Sequence, residues 1–136
     1  MSLLKSSSSN NIISSINNPI SDDIINYKID YNAKLGEGRF GKVRLATHKL
    51  TNLRVAIKII DKTQIKLKEE RERIDTEIII LKQINHHNIA KLYSIIENEE
   101  RIYLIQEYIK GKDLTSFIKQ KEKPEIKENI YISFFL

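Results

Sequence analysis

Apolar positions along the chain follow two different periods. Several short segments alternate apolar and polar residues, which is typical of strands with one buried face. Between residues 66 and 84 the period becomes helical, because Ile74, Ile78, Leu81 and Ile84 recur after three or four residues, and a long helix is predicted there. Strands are predicted over residues 27–35, 42–47, 54–60, 91–97 and 101–108, the first three as an antiparallel meander.

Residues 1–26 differ in composition from the remainder of the chain. Residues 6–18 consist of Ser, Asn and Ile alone, and such a polar, low-complexity tract buries too little apolar surface to fold. We therefore predict a disordered segment over residues 1–26 and a folded part that begins near Tyr27. After the last strand, a short helix is predicted near residues 114–119 and the start of another near Lys127.

Composition and charge exclude several classes of function. The chain has no cysteine, which excludes disulfides, zinc-thiolate sites and thiol catalysis. The formal net charge of +5 is interspersed with acidic residues, and this pattern argues against a nucleic-acid-binding arm. Because no targeting signal or membrane-length apolar run is visible, we expect a cytoplasmic protein without a membrane or nucleic-acid partner, and the nucleus stays open.

Three of the four glycines lie in one segment, Gly36-Glu37-Gly38-Arg39-Phe40-Gly41. Glycine accepts positive φ and lets backbone N–H groups approach a phosphate closely. The segment is therefore either a flexible hairpin turn or a phosphate cradle, and the G-x-G-x-x-G pattern alone does not decide. A strand follows it instead of a helix, which excludes a dinucleotide-binding fingerprint. Gly41-Lys42-Val43 also lacks the Ser or Thr of a Walker loop.

Lys58 lies in the segment Val55-Ala56-Ile57-Lys58 on the third strand, with aliphatic residues on both sides. A lysine on a half-buried strand is costly unless its ammonium group has a partner, although it can also extend along the strand edge to water. Glu77 follows Ile74 by three residues and precedes Leu81 by four, so it projects from the apolar face of the predicted helix. We hypothesise a buried ion pair between Lys58 and Glu77.

Together these segments resemble the protein kinase superfamily in residue type, order and spacing. Residues 35–43 (Leu-Gly-Glu-Gly-Arg-Phe-Gly-Lys-Val) resemble its glycine-rich loop, residues 55–58 (Val-Ala-Ile-Lys) its lysine strand, and Glu77 its helical glutamate. Residues 85–89 (Asn-His-His-Asn-Ile) resemble the family's His-Pro-Asn-Ile segment, with His87 where proline is usual.

The resemblance extends from Tyr27 to Leu136, and residues 103–108 are similar to the fifth strand that runs into the hinge. Its overall character is similar to calcium/calmodulin-dependent and AMP-activated-type Ser/Thr kinases. It implies an α+β fold, namely a kinase-like N-lobe with a five-stranded antiparallel sheet plus one long helix, followed by the hinge and the first C-lobe helices. The implied parts are the N-lobe over residues 27–106, the hinge over 107–111 and a partial C-lobe over 112–136.

The resemblance also implies an ATP site. Backbone amides of residues 36–41 would cover the phosphates, and Lys58 would contact the α and β phosphates while pairing with Glu77. Gln106 would occupy the gatekeeper position next to the adenine. The ATP-contacting residues implied in this way are Leu35, Gly36, Glu37, Gly38, Arg39, Phe40, Gly41, Lys42, Val43, Ala56, Lys58, Glu77, Gln106, Glu107 and Ile109.

Further roles follow from the same resemblance. Val43 and Ala56 would form the roof over adenine, and backbone groups of Glu107 and Ile109 would hydrogen-bond its edge. The small lobe's share of the packed spine that links the two lobes would come from Leu81 and Leu92.

The catalytic motifs of the family do not occur in these 136 residues. His-Arg-Asp, Asp-Phe-Gly and Ala-Pro-Glu are all missing, so the resemblance implies weak ATP binding without catalytic residues, Mg²⁺ ligands or a metal site. Three functions stay open: an inactive Ser/Thr kinase-like protein (a pseudokinase), a fragment of an active Ser/Thr kinase, and a non-catalytic interaction module. The apolar residues 130–136 predict an exposed surface that self-associates or takes a protein partner.

Overall fold

The computed structural model describes residues 23–111 and contains the five predicted strands and the long helix, which confirms the predicted α+β fold. The observed bounds differ from the predicted ones by no more than two residues. Two short 3₁₀ turns, Ile24–Asn26 and Lys62–Gln64, were not predicted. The regular elements are β1 (Tyr27–Glu37), β2 (Gly41–His48), β3 (Arg54–Asp61), α1 (Lys68–Gln83), β4 (Leu92–Glu97) and β5 (Arg101–Glu107).

Several predictions fall on residues 1–22 and 112–136 and so lie outside the described residues. They are most of the disordered N-terminal segment, the partial C-lobe with its two helices, and the apolar end over residues 130–136.

The five strands form one sheet in the order β1-β2-β3-β5-β4, and every neighbouring pair is antiparallel. Residues that lie opposite each other in such pairs project from the same face. One row of opposed residues therefore crosses four strands on a single face: Val43 on β2, Lys58 on β3, Leu104 on β5 and Ile95 on β4.

Both faces of the sheet are buried, each by its own cluster of side chains. The face that carries Lys58 packs against α1, and we call its buried residues the inner cluster. The opposite face carries the outer cluster, which the sequence analysis did not predict because it assigned one buried face to each strand. The inner cluster consists of Ile60, Ile74, Leu81, Ile102 and Leu104, and the outer cluster of Tyr27, Ala46, Val55, Ile57, Tyr103 and Ile105.

The helix α1 begins two residues later than its apolar pattern predicts. The Glu70 carboxylate accepts the backbone N–H groups of Lys66 (3.1 Å) and Leu67 (3.3 Å). These bonds satisfy donors that have no partner inside a helix, and Leu67 takes an extended conformation. Of the predicted apolar stripe, Ile74 and Leu81 are buried.

Charged side chains fasten α1 to the sheet and to the segment that follows β3. The Arg71 guanidinium lies 3.0 Å from Asp75 on the same helix and 3.0 Å from Glu97 at the end of β4. Lys62 Nζ lies 2.7 Å from the same Glu97 carboxylate. Because Glu97 bridges two elements, the network fixes where α1 lies on the sheet.

Candidate functional site

Lys58 lies in the middle of the inner face and is almost completely buried, with 1% of its surface exposed. Its neighbours in the row across the sheet are Val43 and Leu104, both fully buried aliphatic residues. Burial lowers the pKa of the Lys58 ammonium to about 8, and the negative charge of Glu77 opposes this shift. Lys58 therefore stays charged at neutral pH inside an apolar surrounding.

Glu77 is half-buried on α1, one turn from Ile74 and one turn from Leu81. The predicted placement on the apolar face of the helix is thus confirmed, and its charge acts on Lys58. The direct ion pair between the two side chains stays a prediction.

The glycine-rich segment forms a tight turn between β1 and β2. The Gly38 N–H donates to the Gly41 carbonyl at 2.8 Å, which leaves Arg39 and Phe40 at the tip. All four glycines lie within the described residues and none of them has a positive φ. Conformational freedom is therefore not what requires glycine here.

Close packing of the backbone explains one of these glycines. A Cβ atom at Gly41 would overlap the carbonyl oxygen of Ile59 and lie 2.8 Å from its carbonyl carbon. Real Cβ atoms do not approach backbone atoms so closely, so only glycine lets β2 and β3 pair at this point. Strand packing therefore explains the glycine at position 41, and the phosphate contact of the segment stays a prediction.

The tip of the turn is attached to the helix. Arg39 Nη2 lies 3.0 Å from Glu70 Oε1, and Phe40 is half-buried against the inner cluster. The sequence did not single out Glu70, but its side chain is only 15% exposed. A signal for its role was available, since Glu70 is the third helical residue, where an acid can cap the helix start.

A second row on the inner face passes from Leu45 to Ala56 and Gln106 and ends at Leu92. Val43 and Ala56, the predicted roof residues, are both buried and lie on this face. Gln106 is 1% exposed, and its Oε1 has no hydrogen-bond partner among the described residues. A buried acceptor without a partner is costly, and a ligand that brings a donor would relieve that cost.

The end of β5 is held by backbone hydrogen bonds. The Glu107 N–H donates to the Lys91 carbonyl at 2.8 Å, and the Lys91 N–H donates to the Glu107 carboxylate at 3.0 Å. The Glu107 N–H is thus already hydrogen-bonded, so the predicted adenine contact at this residue would have to use its carbonyl as an acceptor. Ile109 is half-buried just beyond the strand.

A known family accounts for this arrangement. The model of the family described as "Protein kinase domain" matches residues 29–135. The chain belongs to the protein kinase domain family. The sheet and α1 correspond to the small lobe of a kinase. That Lys58 and Glu77 act as the family's strand lysine and helical glutamate stays a prediction. The similarity to calcium/calmodulin-dependent and AMP-activated-type kinases stays a prediction, as do the ATP-contacting roles of the individual residues.

Other features of this kinase-family chain lie away from Lys58. A shallow cavity of about 320 Å³ adjoins the start of α1. Of the four cations that line it, Lys62 and Arg71 are engaged with Glu97, and the other two are Lys66 and Lys68. Over residues 23–111, no group of three His, Asp or Glu residues is placed to hold a metal ion. In the same part of the chain, no helix has the length and apolarity that a membrane crossing requires.

Proposed function

We propose that this chain binds ATP through the small-lobe half of a protein kinase domain, and that these 136 residues do not transfer phosphate by themselves. One observation carries the proposal: Lys58 is a buried ammonium group on the inner face, next to the strand that leads out of the glycine turn. Burying a charge is unfavourable, and attraction of the negatively charged nucleotide phosphates would explain why a charged group lies at this position. Two alternative hypotheses stay predictions, namely that the chain is a fragment of an active Ser/Thr kinase or a non-catalytic interaction module.

In this proposal, different residues contact the phosphates, the face of the adenine ring and its edge. The Lys58 ammonium would attract the α and β phosphates, with Glu77 keeping it charged and oriented. Backbone N–H groups at the tip of residues 36–41 would approach the phosphates from above. Val43 and Ala56 offer an apolar surface for one face of the adenine ring. The edge of the ring would meet Gln106, Glu107 and Ile109.

The proposed lack of transfer follows from the chemistry of the reaction. Phosphoryl transfer in kinases needs an aspartate that accepts the hydroxyl proton and acidic and amide side chains that hold Mg²⁺. His-Arg-Asp and Asp-Phe-Gly supply these groups in the family, and neither motif occurs in this sequence. We therefore propose weak nucleotide binding with little dependence on Mg²⁺, in a cytoplasmic protein.

Titration calorimetry with ATP tests the binding. We expect measurable but weaker than micromolar affinity, lost in Lys58→Met and unchanged in Lys28→Met, an exposed lysine on β1. Equal affinity of wild type and Lys58→Met would contradict the proposal, and so would tight binding that requires Mg²⁺.

A transfer assay tests the second half of the proposal. The purified chain is incubated with Mg²⁺, labelled ATP and a general protein substrate, and we expect no label on the substrate. Transfer that disappears in Lys58→Met would show that these residues are catalytic after all.

A further inference from the structure

The tip of the glycine turn contacts the start of α1, a contact to which the proposed ATP site assigns no role. Arg39 and Glu70 lie 31 residues apart in the sequence, and their side chains meet at 3.0 Å. The side chain of Arg39 is 61% exposed and that of Glu70 is 15% exposed. Glu70 is therefore the partner that is fixed by its surroundings, and Arg39 reaches it from the solvent side.

Two backbone hydrogen bonds orient the Glu70 carboxylate. Its Oε2 accepts the N–H groups of Lys66 and Leu67, whereas its Oε1 faces Arg39. These backbone bonds, with a smaller contribution from Arg39, hold the pKa of Glu70 below its usual range. At neutral pH the group is thus a charged and oriented acceptor for the arginine.

Phe40 strengthens the same attachment. Its ring packs against the inner cluster, as do Ile65 and Ile78. The Arg39 guanidinium carbon lies 5.1 Å from the centre of the Phe40 ring, within the range of a cation–π contact. Both tip residues are therefore attached to the α1 side of the molecule, and the position of the turn is coupled to the start of the helix.

We propose that Glu70 is a positioning residue for the glycine turn, which it fixes by holding Arg39 before nucleotide arrives. The inference rests on the proposed function. Fixing a loop in advance lowers the entropy lost on binding, and an ion pair of this kind changes an equilibrium constant by about threefold. Since the turn would cover phosphates and not the base, the affinity for ATP and ADP should change and the affinity for adenosine should not.

The test compares three substitutions in the full chain. Glu70→Gln keeps the shape of the side chain and an oxygen for the backbone N–H groups, but removes the charge that holds Arg39. Arg39→Gln removes the other partner. Glu72→Gln is the matched control, because Glu72 lies in the same part of α1 and pairs at 3.6 Å with Lys68, both side chains being exposed.

We expect Glu70→Gln and Arg39→Gln each to weaken ATP binding by about threefold while adenosine binding and the Glu72→Gln variant stay unchanged. The double variant should be no weaker than either single one, because both remove the same pair. Tighter ATP binding in Glu70→Gln would show that Arg39 contacts the phosphates directly and that its pairing with Glu70 competes with this contact. That result would overturn the inference. An equal loss for ATP and adenosine would also overturn it, because that pattern indicates general damage to the fold.

Amide hydrogen exchange without nucleotide separates this inference from the proposed function. Glu70→Gln and Arg39→Gln should speed exchange at the tip of the turn, where the Gly38 N–H donates to the Gly41 carbonyl, and Glu72→Gln should not. If the wild type binds neither ATP nor adenosine, the proposed function fails, and the exchange rates still decide whether Glu70 holds the turn. If Glu70→Gln does not fold, Arg39→Gln decides alone, since Arg39 is exposed. Unchanged exchange at the tip would overturn the inference.

Discussion

Lys58 is a buried, charged residue that lowers the stability of the folded protein. It is almost fully buried between Val43 and Leu104, and its pKa falls to about 8 from 10.5, chiefly through burial. Because one pKa unit corresponds to about 1.4 kcal/mol, keeping this lysine charged at pH 7 costs the folded state on the order of 3 kcal/mol. The proposed ATP binding would account for a charged residue at position 58 despite this cost.

We therefore expect Lys58→Met to stabilise the fold. Methionine has a similar length and fills the same space without a charge, and Glu77 is half-buried and keeps access to water. The free energy of unfolding, measured by urea denaturation at pH 7, should rise by about 1–3 kcal/mol. Lys28→Met on exposed β1 should stay within about 0.5 kcal/mol of the wild type. A clear loss of stability in Lys58→Met would show that the lysine holds the fold together.

The same residue predicts a dependence on pH. Between pH 8 and 10.5 the unfolded chain keeps the Lys58 proton, whereas the folded chain releases it. The unfolded state then binds more protons, so the contribution of Lys58 to stability rises with pH in this window. The stability difference between Lys58→Met and wild type should accordingly shrink from pH 7 to pH 9.5, while other groups cancel in the comparison. A difference that is the same at both values would contradict the assigned pKa.

At the scale of the elements, the sequence predicted each strand and the helix. The helix follows from its helical apolar period, whereas β3 and β5, which are buried on both faces, are short aliphatic segments bounded by polar turns. The start of α1 was placed too early, since the apolar stripe does not record that Glu70 caps the helix. The sequence did not single out Glu70, because its pairing with Arg39 depends on tertiary structure. Gly41 was interpreted as part of a flexible turn or a phosphate cradle, whereas the structure requires glycine there because the backbone of β3 lies so close.

Gly41→Ala should accordingly destabilise the sheet. The added methyl group would overlap the Ile59 carbonyl oxygen, and β2 and β3 would have to separate. We expect the free energy of unfolding to fall by about 1–3 kcal/mol or more. Gly111→Ala is the control, because its Cβ would have no heavy atom of the described residues within 4 Å. Wild-type stability in Gly41→Ala, measured by chemical denaturation, would contradict the packing argument.

At the scale of the molecule, the sequence predicted a sheet with one helix, and the family match supports the same architecture. It did not predict that the sheet is buried on both faces. His48 is an example, since it lies on the face of β2 opposite to Val43 and is only 2% exposed. Its ring packs edge-on against Tyr27, with 5.1 Å between the centroids. Contacts of this kind depend on the register between β1 and β2. The alternation of apolar and polar residues along one strand cannot predict that register.

The position of β3 in the sheet has a consequence for how the protein acquires its structure. One edge of β3 pairs with β2, which precedes it directly, but the other edge pairs with β5, which follows α1 and β4 in the chain. During synthesis or refolding, one edge of the aliphatic strand β3 therefore stays unpaired until β5 is in place. Unpaired strand edges of this kind favour aggregation. Lys58 places a charge within that edge, and a charge inside an apolar strand suppresses association of this kind. Lys58→Met should thus refold with a lower yield and more light scattering than wild type at high concentration, although its folded state is the more stable one. Equal yields would show that the edge is protected by other means.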